Sequence, residues 1–225
     1  MRQPSDEAAP PRRKLLVNLG SGPKRLSRLP PVLAEWREFR VDIDPTSAPD
    51  LLADLTDLSA INSSSADAVW AAHCIEHLYL HEVTKALEES RRILADDGFL
   101  CVIVPDLQSI ASYLETDRLL DTVYESPAGP ITAHDMMFGF SRDLASGYPR
   151  MAHNCGFTAG VLLRKLREAH FAEIILRRRP TLEVAAVAWK RAISASITAR
   201  SVMPAGRARE ARQETKGWKR SRLTS

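Results

Sequence analysis

The chain alternates short apolar runs with longer amphipathic segments. Runs rich in Leu, Val, Ile and Ala that stop at Gly, Pro or acidic residues are typical of buried strands. They predict strands at residues 14–20, 39–44, 51–55, 67–72, 99–104, 171–178 and 182–189. Apolar residues three or four positions apart predict helices at residues 76–94, 106–114 and 157–170. A further segment, 24–36, is interrupted by Pro30-Pro31, which predicts a short or broken helix.

The order of these elements indicates the fold class. Strands that alternate with helices predict an α/β fold, with a mostly parallel sheet and helices on both faces. The last two predicted strands are separated only by Arg179-Pro180-Thr181, which predicts an antiparallel hairpin. Asp96-Asp97-Gly98 follows the longest helical pattern, and a glycine at that point favours the end of a helix.

Polar features follow the first three predicted strands. Gly20-Ser21-Gly22 ends the first strand, Asp42 and Asp44 end the second, and Asp54 lies in the third. In an open α/β sheet, ligands bind at the carboxyl ends of the strands. A glycine turn there brings backbone N–H groups close to a ligand, and a carboxylate accepts hydrogen bonds from both hydroxyls of a ribose. These positions predict a site for a ribose and an adenine.

The segment after the glycine turn narrows the choice of ligand. A dinucleotide site has a third glycine that lets the helix cover a pyrophosphate, but residues 23–25 are Pro-Lys-Arg. The turn therefore fits a ligand without a pyrophosphate better. Asp44 competes with Asp42 for the ribose, although its place before Pro45 also fits the start of a turn. Asp54 fits an adenine contact and a helix N-cap equally well.

Composition is that of an ordinary soluble domain. Of the 225 residues, 44% are hydrophobic and 26% are charged. No apolar run approaches the ~20 residues that span a bilayer, and the N-terminus has no apolar signal region. The three cysteines are far apart and give neither a disulfide framework nor a zinc spacing. We therefore expect a cytoplasmic protein.

Charge is unevenly distributed along the chain. Residues 190–225 contain ten Lys or Arg and two Glu, a net of about +8, which leaves about −5 for the rest of a chain whose formal net charge is +3. A solvated, disordered end is the expected state of this tail, although a basic segment could also contact nucleic acid or anionic lipid. The acidic body argues against a nucleic-acid acceptor.

Five segments in chain order resemble the class I S-adenosylmethionine-dependent methyltransferases. They are LVNLGSGP, VDIDP, ADLTDL, DAVWAAHCIEHL and LADDGFLCVIVPDL. The resemblance is strong over residues 14–106 and looser through HDMMFG, MAHNCGFT and the final hairpin. It implies a Rossmann-like, seven-stranded, mostly parallel sheet with one antiparallel strand. It also implies S-adenosylmethionine as the cofactor and a small-molecule or saccharide as the methyl acceptor.

The resemblance assigns roles to the residues that match its motifs. Gly20-Ser21-Gly22 would hold the methionine part of the cofactor, and Asp42 would bind the ribose hydroxyls, with Ile43 beside it. Asp54 and Leu55 would line the adenine.

The resemblance also implies roles for His73 and Asn18, although Asn18 differs from the residue type that is usual in the superfamily. His73, at the end of the fourth strand, would face both the methionine end of the cofactor and the acceptor. Asn18 stands where most of the superfamily has an acid that orients the cofactor's amino group. An asparagine accepts a hydrogen bond there without supplying the charge.

Transfer of a methyl group requires a nucleophile aligned with the methyl group and the exclusion of water. A hydroxyl acceptor also requires a base for its proton. His73, His153 and Asp135, the last beside His134, are the candidate catalytic residues. For His153 a hydrogen bond that fixes its own loop is an equally good interpretation.

The predicted domain organisation has three parts. Residues 1–13 form a disordered N-terminal segment, 14–190 the methyltransferase domain, and 191–225 the basic tail. Residues 115–156 form an insert on the ligand side of the sheet. We expect it to be a lid that determines the acceptor, with Met136, Met137, Phe138 and Phe140 as its apolar inner face.

Two other functions fit parts of the sequence. His73-x-x-Glu76-His77 spells H-x-x-E-H, in which two histidines four apart on a helix hold zinc and a glutamate acts as the base of a hydrolase. His73 directly follows a predicted strand, so we expect it to precede the helix, and we predict no metal centre. The second alternative is a catalytically inactive module that keeps the fold and the cofactor pocket.

Overall fold

A computed structural model describes residues 13–24 and 29–192. The predicted disordered N-terminus and basic tail lie, apart from their innermost residues, outside the described residues. The strands are β1 (Leu15–Leu19), β2 (Arg37–Asp42), β3 (Leu51–Leu52), β4 (Ala66–Ala72), β5 (Leu94–Pro105), β6 (Thr122–Ser126), β7 (Gly129–Thr132), β8 (Glu173–Arg179) and β9 (Glu183–Trp189). The α-helices are α1 (Leu80–Ile93), α2 (Leu107–Glu115), α3 (Ala133–Phe138), α4 (Ser141–Ala145) and α5 (Ala159–Glu168).

Seven of these strands form one sheet in the order β3-β2-β1-β4-β5-β9-β8. The strands from β3 to β5 pair in parallel, whereas β9 runs antiparallel to both β5 and β8. Both the Rossmann-like, mostly parallel sheet and the terminal antiparallel hairpin are therefore confirmed. Strands β6 and β7 form a separate hairpin.

Successive residues of the central strands are buried on opposite faces of the sheet, as alternation in a strand requires. The larger core lies on the face covered by α1 and α5 and includes Val17, Val69, Val102, Leu87 and Leu166. A smaller core on the other face includes Leu16, Trp70, Cys101, Val187 and Trp189. Apolar side chains on both faces explain why the central strands are apolar throughout. Among the described residues, no helix is long and apolar enough to cross a membrane.

The longest helix begins later than the sequence pattern predicts. Glu76 and His77 lie in a 3-10 turn, Ile75–His77, and α1 starts only at Leu80. Tyr79 has an extended backbone and donates its N–H to Glu82 Oε2 (2.9 Å), which fixes the first turn of the helix. The prediction that Glu76 and His77 open the helix is therefore wrong.

The end of the same helix also differs. Asp96-Asp97-Gly98 does not terminate it, because α1 ends at Ile93 and Leu94 already belongs to β5. Leu94 is fully buried and pairs with Ala66 of β4. Burial of this leucine against the sheet makes the chain extended before the acidic turn signal is reached.

Candidate cofactor and acceptor site

The glycine turn after β1 lies against the loop that follows β4. Gly20 and Gly22 have φ values of +59° and +57°, which favour glycine. A Cβ on Gly20 would lie 2.4 Å from Cys74 Cβ, whereas a Cβ on Gly22 would meet no described atom within 4 Å. Gly20 thus permits close packing on the β4 loop, and Gly22 leaves the outer side of the turn open to a ligand.

Asp42 lies against this turn, as the sequence predicts. Its Oδ2 accepts a hydrogen bond from the Gly22 N–H (2.8 Å), and its Oδ1 accepts from the Asp44 N–H (2.9 Å). Asp44 instead caps a short turn, where its Oδ1 accepts from the N–H and the hydroxyl of Thr46 (both 2.8 Å). These bonds hold the pKa of Asp44 below its usual value. The geometry therefore favours Asp42 over Asp44 beside the glycine turn.

Arg40 is a site residue that the sequence reasoning missed. Its guanidinium donates to the carbonyls of Gly22, Ala48 (2.8 Å) and Ser47 (3.0 Å), and only 8% of the residue is exposed. It joins the glycine turn to the turn after β2. The signal was present, because strand alternation places Arg40 on the same side as Asp42.

Asn18 is buried, and its neighbours explain why this chain has an asparagine where an acid is usual. Its Nδ2 donates to Glu38 Oε1 (2.7 Å) on the neighbouring strand. An aspartate at this position would bring two carboxylates together, which is unfavourable. In this chain the negative charge beside β1 belongs to Glu38. Nearby, the Ser21 hydroxyl is buried without a hydrogen-bond partner, and such a polar atom fits a site that receives a polar ligand.

Among the other predicted cofactor residues, Ile43 and Asp54 are exposed, whereas Leu55, which was predicted with Asp54 to line the adenine, is partly buried. Ile43 is 45% exposed although it is apolar, and it follows Asp42 directly. Asp54 is exposed and caps a turn, because its Oδ1 accepts from the N–H (2.8 Å) and hydroxyl (2.7 Å) of Thr56. Leu55 is partly buried against the core. Their contact with an adenine stays a prediction.

His73 is held between two carboxylates. Its Nε2 lies 2.8 Å from Glu183 Oε1, and its Nδ1 lies 3.5 Å from Glu76 Oε1. Burial alone would lower the pKa of His73, but the two glutamates outweigh it and raise the pKa to about 9. At neutral pH the imidazole is therefore charged and has no lone pair for a proton. This geometry argues against the predicted role of His73 as the base.

Asp135 lies in a hydrogen-bond network that argues against its predicted catalytic role. Its carboxylate accepts from the N–H (2.9 Å) and hydroxyl (2.7 Å) of Thr132, and from the N–H (2.9 Å) and hydroxyl (2.6 Å) of Ser141. Burial would raise the pKa of Asp135, but these bonds lower it below its usual value. A carboxylate that accepts four hydrogen bonds joins α3 to α4 and is a poor base.

His153 lies close to Glu76 and His77. One potential ligand atom from each of the three residues lies within 4.8 Å of the others, and the two imidazole rings are 4.9 Å apart. Burial lowers the pKa of His153, which keeps its ring neutral. Burial would raise the pKa of Glu76, but the neighbouring histidines lower it below its usual value. The sequence did not associate His153 with the H-x-x-E-H segment, because a long stretch of chain separates them.

The helix that the zinc-hydrolase alternative requires is not formed. His73 lies at the end of β4 and is bound by Glu183, and the short turn that contains Glu76 and His77 ends before α1 begins. His73 and His77 therefore do not occupy one face of a helix.

The insert of residues 115–156 packs over the ends of β2 and β4. It has a small core of its own, in which Met136 is buried among the side chains of α2 and β7, whereas Phe138 is 50% exposed. Arg150 Nη1 donates to the Ile43 carbonyl (3.2 Å), and the Asn154 N–H donates to the Glu76 carbonyl (2.9 Å). A narrow cleft, too tight in this conformation for a water-sized molecule, lies between the insert and the sheet and is lined by Glu76, Leu107, Met136, Met137, His153 and Phe157. The insert thus has the position of a lid, although its motion stays a prediction.

Comparisons with known proteins agree with this geometry. Residues 17–102 match the family model of a methyltransferase domain. No curated protein matches the chain.

Several solved structures have a similar fold. A SAM-dependent methyltransferase from Methanosarcina mazei is 14% identical, with a TM-score of 0.51 over 80% of this chain and 93% of that one. One from Thermotoga maritima, described as a possible histamine N-methyltransferase, is 16% identical, with a TM-score of 0.49 over 82% and 84%. The 1,6-didemethyltoxoflavin-N1-methyltransferase from Burkholderia thailandensis, solved with 1,6-didemethyltoxoflavin and S-adenosylhomocysteine, is 15% identical, with a TM-score of 0.46 over 80% and 72%. The likeness to the Methanosarcina mazei structure, at this low identity, concerns the fold alone.

The family match covers β1, β2 and β4 with the turns that follow them, which are the elements that bring Asp42 to the glycine turn. The match supports S-adenosylmethionine as the cofactor. Residues 17–102 thus have the sequence motifs of a methyltransferase domain, and they belong to a seven-stranded, mostly parallel sheet.

Proposed function

We propose that the protein transfers a methyl group from S-adenosylmethionine to a small-molecule or saccharide acceptor. The observation that carries the proposal is the hydrogen bond between Asp42 Oδ2 and the Gly22 N–H. It brings the acid of β2 and the glycine turn of β1 to the same edge of the sheet, where open α/β folds bind nucleosides.

The described residues fit this cofactor. Each oxygen of Asp42 accepts one backbone bond and keeps a second lone pair for a ribose hydroxyl. Gly22 is open on its outer side, and the buried Ser21 hydroxyl lacks a partner. When bound, the cofactor supplies an electrophilic methyl group on a sulfonium whose leaving group is a neutral thioether.

The acceptor side lies between the β4 loop and the insert. Glu76, His77 and His153 meet there next to an apolar cleft. Because Cys74 contacts the glycine turn and lies two residues before Glu76, this cluster adjoins the cofactor side. An acceptor that entered this cleft when the insert moves outward would be held close to the cofactor and then shielded from water by the insert, which is the main requirement of the transfer. The negative charge of the domain favours a small molecule or saccharide over nucleic acid.

Replacement of Asp42 tests the cofactor site directly. We expect Asp42→Ala to weaken the binding of S-adenosylhomocysteine about 100-fold or more, because two hydrogen bonds to a charged group are lost. Isothermal titration calorimetry measures the affinity, and circular dichroism confirms the fold. Asp44→Ala is the matched control, since Asp44 caps a turn two residues away, and its affinity should change less than about threefold. Equal affinities of Asp42→Ala and the parent protein would remove the ribose assignment.

Turnover distinguishes an enzyme from an inactive binding module. The purified protein is incubated with radiolabelled S-adenosylmethionine and a panel of hydroxylated small molecules and saccharides. Label transferred to an acceptor, with an equal amount of S-adenosylhomocysteine, is the expected result. Tight cofactor binding without transfer to any member of the panel or to a cell extract would favour the module.

A further inference from the structure

Three side chains that can bind a metal converge at the acceptor side of the site. Glu76 and His77 belong to the turn after β4, and His153 belongs to the end of the insert. Their nearest potential ligand atoms lie within 4.8 Å of one another. Atoms that share one tetrahedral ion at bond lengths of about 2.0–2.2 Å lie about 3.3–3.6 Å apart, so the three side chains would move together by up to about 1.5 Å to bind one ion.

Glu76 is the least expected member of this cluster. Only 1% of the residue is exposed, and neither carboxylate oxygen accepts a hydrogen bond. Its nearest charged neighbour is His73, at 3.5 Å from Oε1. Buried carboxylates normally pair with hydrogen-bond donors or coordinate metals. Oε1 faces the charged imidazole of His73, and Oε2 is available as a ligand.

Each of the two histidines is oriented by a contact between its Nδ1 and a backbone carbonyl. His77 Nδ1 lies 3.0 Å from the Ala152 carbonyl, and His153 Nδ1 lies 3.1 Å from the Met136 carbonyl. A carbonyl only accepts, so each Nδ1 is the donor and each Nε2 has the free lone pair. This pattern is the usual second contact of a histidine that binds a metal.

Backbone bonds hold the two segments together. The N–H groups of Asn154 (2.9 Å) and Cys155 (3.2 Å) both donate to the Glu76 carbonyl. The Asn154 side chain donates to the His77 carbonyl (2.7 Å). The relative position of the three side chains thus follows from the fold and does not require the ion.

We propose that Glu76, His77 and His153 bind one divalent first-row transition metal ion that positions an acceptor hydroxyl for methylation. Two imidazole nitrogens and one carboxylate form the ligand set of zinc and iron sites that keep open positions for a substrate. The methylation step rests on the proposed function, whereas the binding of the metal does not.

The chemistry follows from the position of the cluster beside the cofactor side. A hydroxyl coordinated to a divalent ion would lose its proton more easily, and the proton would leave to solvent before the insert covers the acceptor. The oxygen–methyl bond then forms as the methyl–sulfur bond of the cofactor breaks, with the bonding pair remaining on sulfur. His153 acts in this scheme as a ligand, and no side chain has to accept the proton.

Metal titration tests the site without any acceptor. Protein stripped with chelator is titrated with Co²⁺ while its visible absorption is followed, and with Zn²⁺ by calorimetry. We expect one equivalent to bind with a dissociation constant of micromolar or below, and His153→Ala and His77→Ala to weaken binding at least about 100-fold. His81→Ala is the control for surface histidines, because His81 is exposed near the start of α1, and it should bind Co²⁺ like the parent protein.

The two proposals fail separately. S-adenosylhomocysteine affinity, measured on the same samples, reports the cofactor site and confirms that His153→Ala is folded. Folded His153→Ala that binds Co²⁺ as tightly as the parent protein would overturn the metal site, as would a parent protein that binds no Co²⁺ at ~1 mM. Loss of Co²⁺ binding with unchanged S-adenosylhomocysteine binding would support it.

Discussion

The halves of the candidate site that lie after β2 and after β4 satisfy their polar groups in opposite ways. On the cofactor side, Asp42 and Arg40 bind backbone groups of the adjacent turns. On the acceptor side, neither oxygen of Glu76 accepts a hydrogen bond, although the residue is almost completely buried. The Asp42 and Arg40 side chains are therefore fixed by their own hydrogen bonds, whereas the Glu76 carboxylate is not. Internal bonds that fix a site reduce the cost of binding, and a buried carboxylate that accepts no hydrogen bond supports the metal site proposed above.

Replacement of Gly20, which lies in the cofactor half of the site, should have the largest effect on the free energy of unfolding. In Gly20→Ala the new methyl group would lie 2.4 Å from Cys74 Cβ on a backbone with φ +59°. Left-handed strain and overpacking together should lower the free energy of unfolding by about 3–4 kcal/mol. Gly22→Ala has the same strain but no described atom within 4 Å, and should cost about 1–2 kcal/mol. Urea unfolding measures both, and equal losses would mean that contact with the β4 loop is unimportant.

The charge of His73, which lies between the two halves, predicts a pH dependence of stability. Its pKa is about 9 in the folded protein, against 6.5 for an unperturbed histidine in the unfolded chain. The folded state therefore binds the proton more tightly, and this stabilisation is complete below pH 6.5 and lost as the pH rises through about 9. In metal-free protein with chelator, we expect the free energy of unfolding to fall by up to about 3 kcal/mol across this range. His73→Gln should remove most of the slope, and an unchanged slope would contradict the charged state.

Replacement of Asp135 should have the smallest effect of these substitutions on the free energy of unfolding. In Asp135→Asn one carboxylate oxygen becomes an NH₂ group, which cannot accept hydrogen bonds from the two donors that face it. The substitution should lower the free energy of unfolding by about 1–2 kcal/mol. The affinity for S-adenosylhomocysteine should not change, because Asp135 joins α3 to α4 within the insert. Thermal unfolding and calorimetry measure the two quantities. The control is Asp121→Asn, because Asp121 is an exposed acid in the same insert, and it should change the free energy of unfolding by less than about 0.5 kcal/mol. An Asp135→Asn protein as stable as this control would show that the bonds of Asp135 between α3 and α4 do not stabilise the insert.

Much of the cofactor half was predictable because its signals are local. Glycines after an apolar run predict a turn, and an acid at the end of the next parallel strand lies at the same edge of the sheet. These rules placed Asp42 beside Gly22, and the structure confirms it. They also left Asp44 open as a turn residue, which is the role observed.

The acceptor half was less predictable because it depends on contacts between distant segments. His73 has the motif position of a site residue, but Glu183, 110 positions away, changes its charge. Asp135 has a suggestive neighbour in His134, but Ser141 and Thr132 use its lone pairs. A sequence pattern names the residue types and cannot state which partners will satisfy them.

The sequence by itself determined the order of the strands along the chain, the reversed terminal hairpin and the glycine turn with its acid, because strand periodicity and turn chemistry act over a few residues. Only the tertiary structure decided that α1 starts at Leu80, that Arg40 is buried, and that His153 joins Glu76 and His77. Those outcomes depend on which surfaces pack together, and packing brings His153 beside Glu76 and His77 from a distant part of the chain.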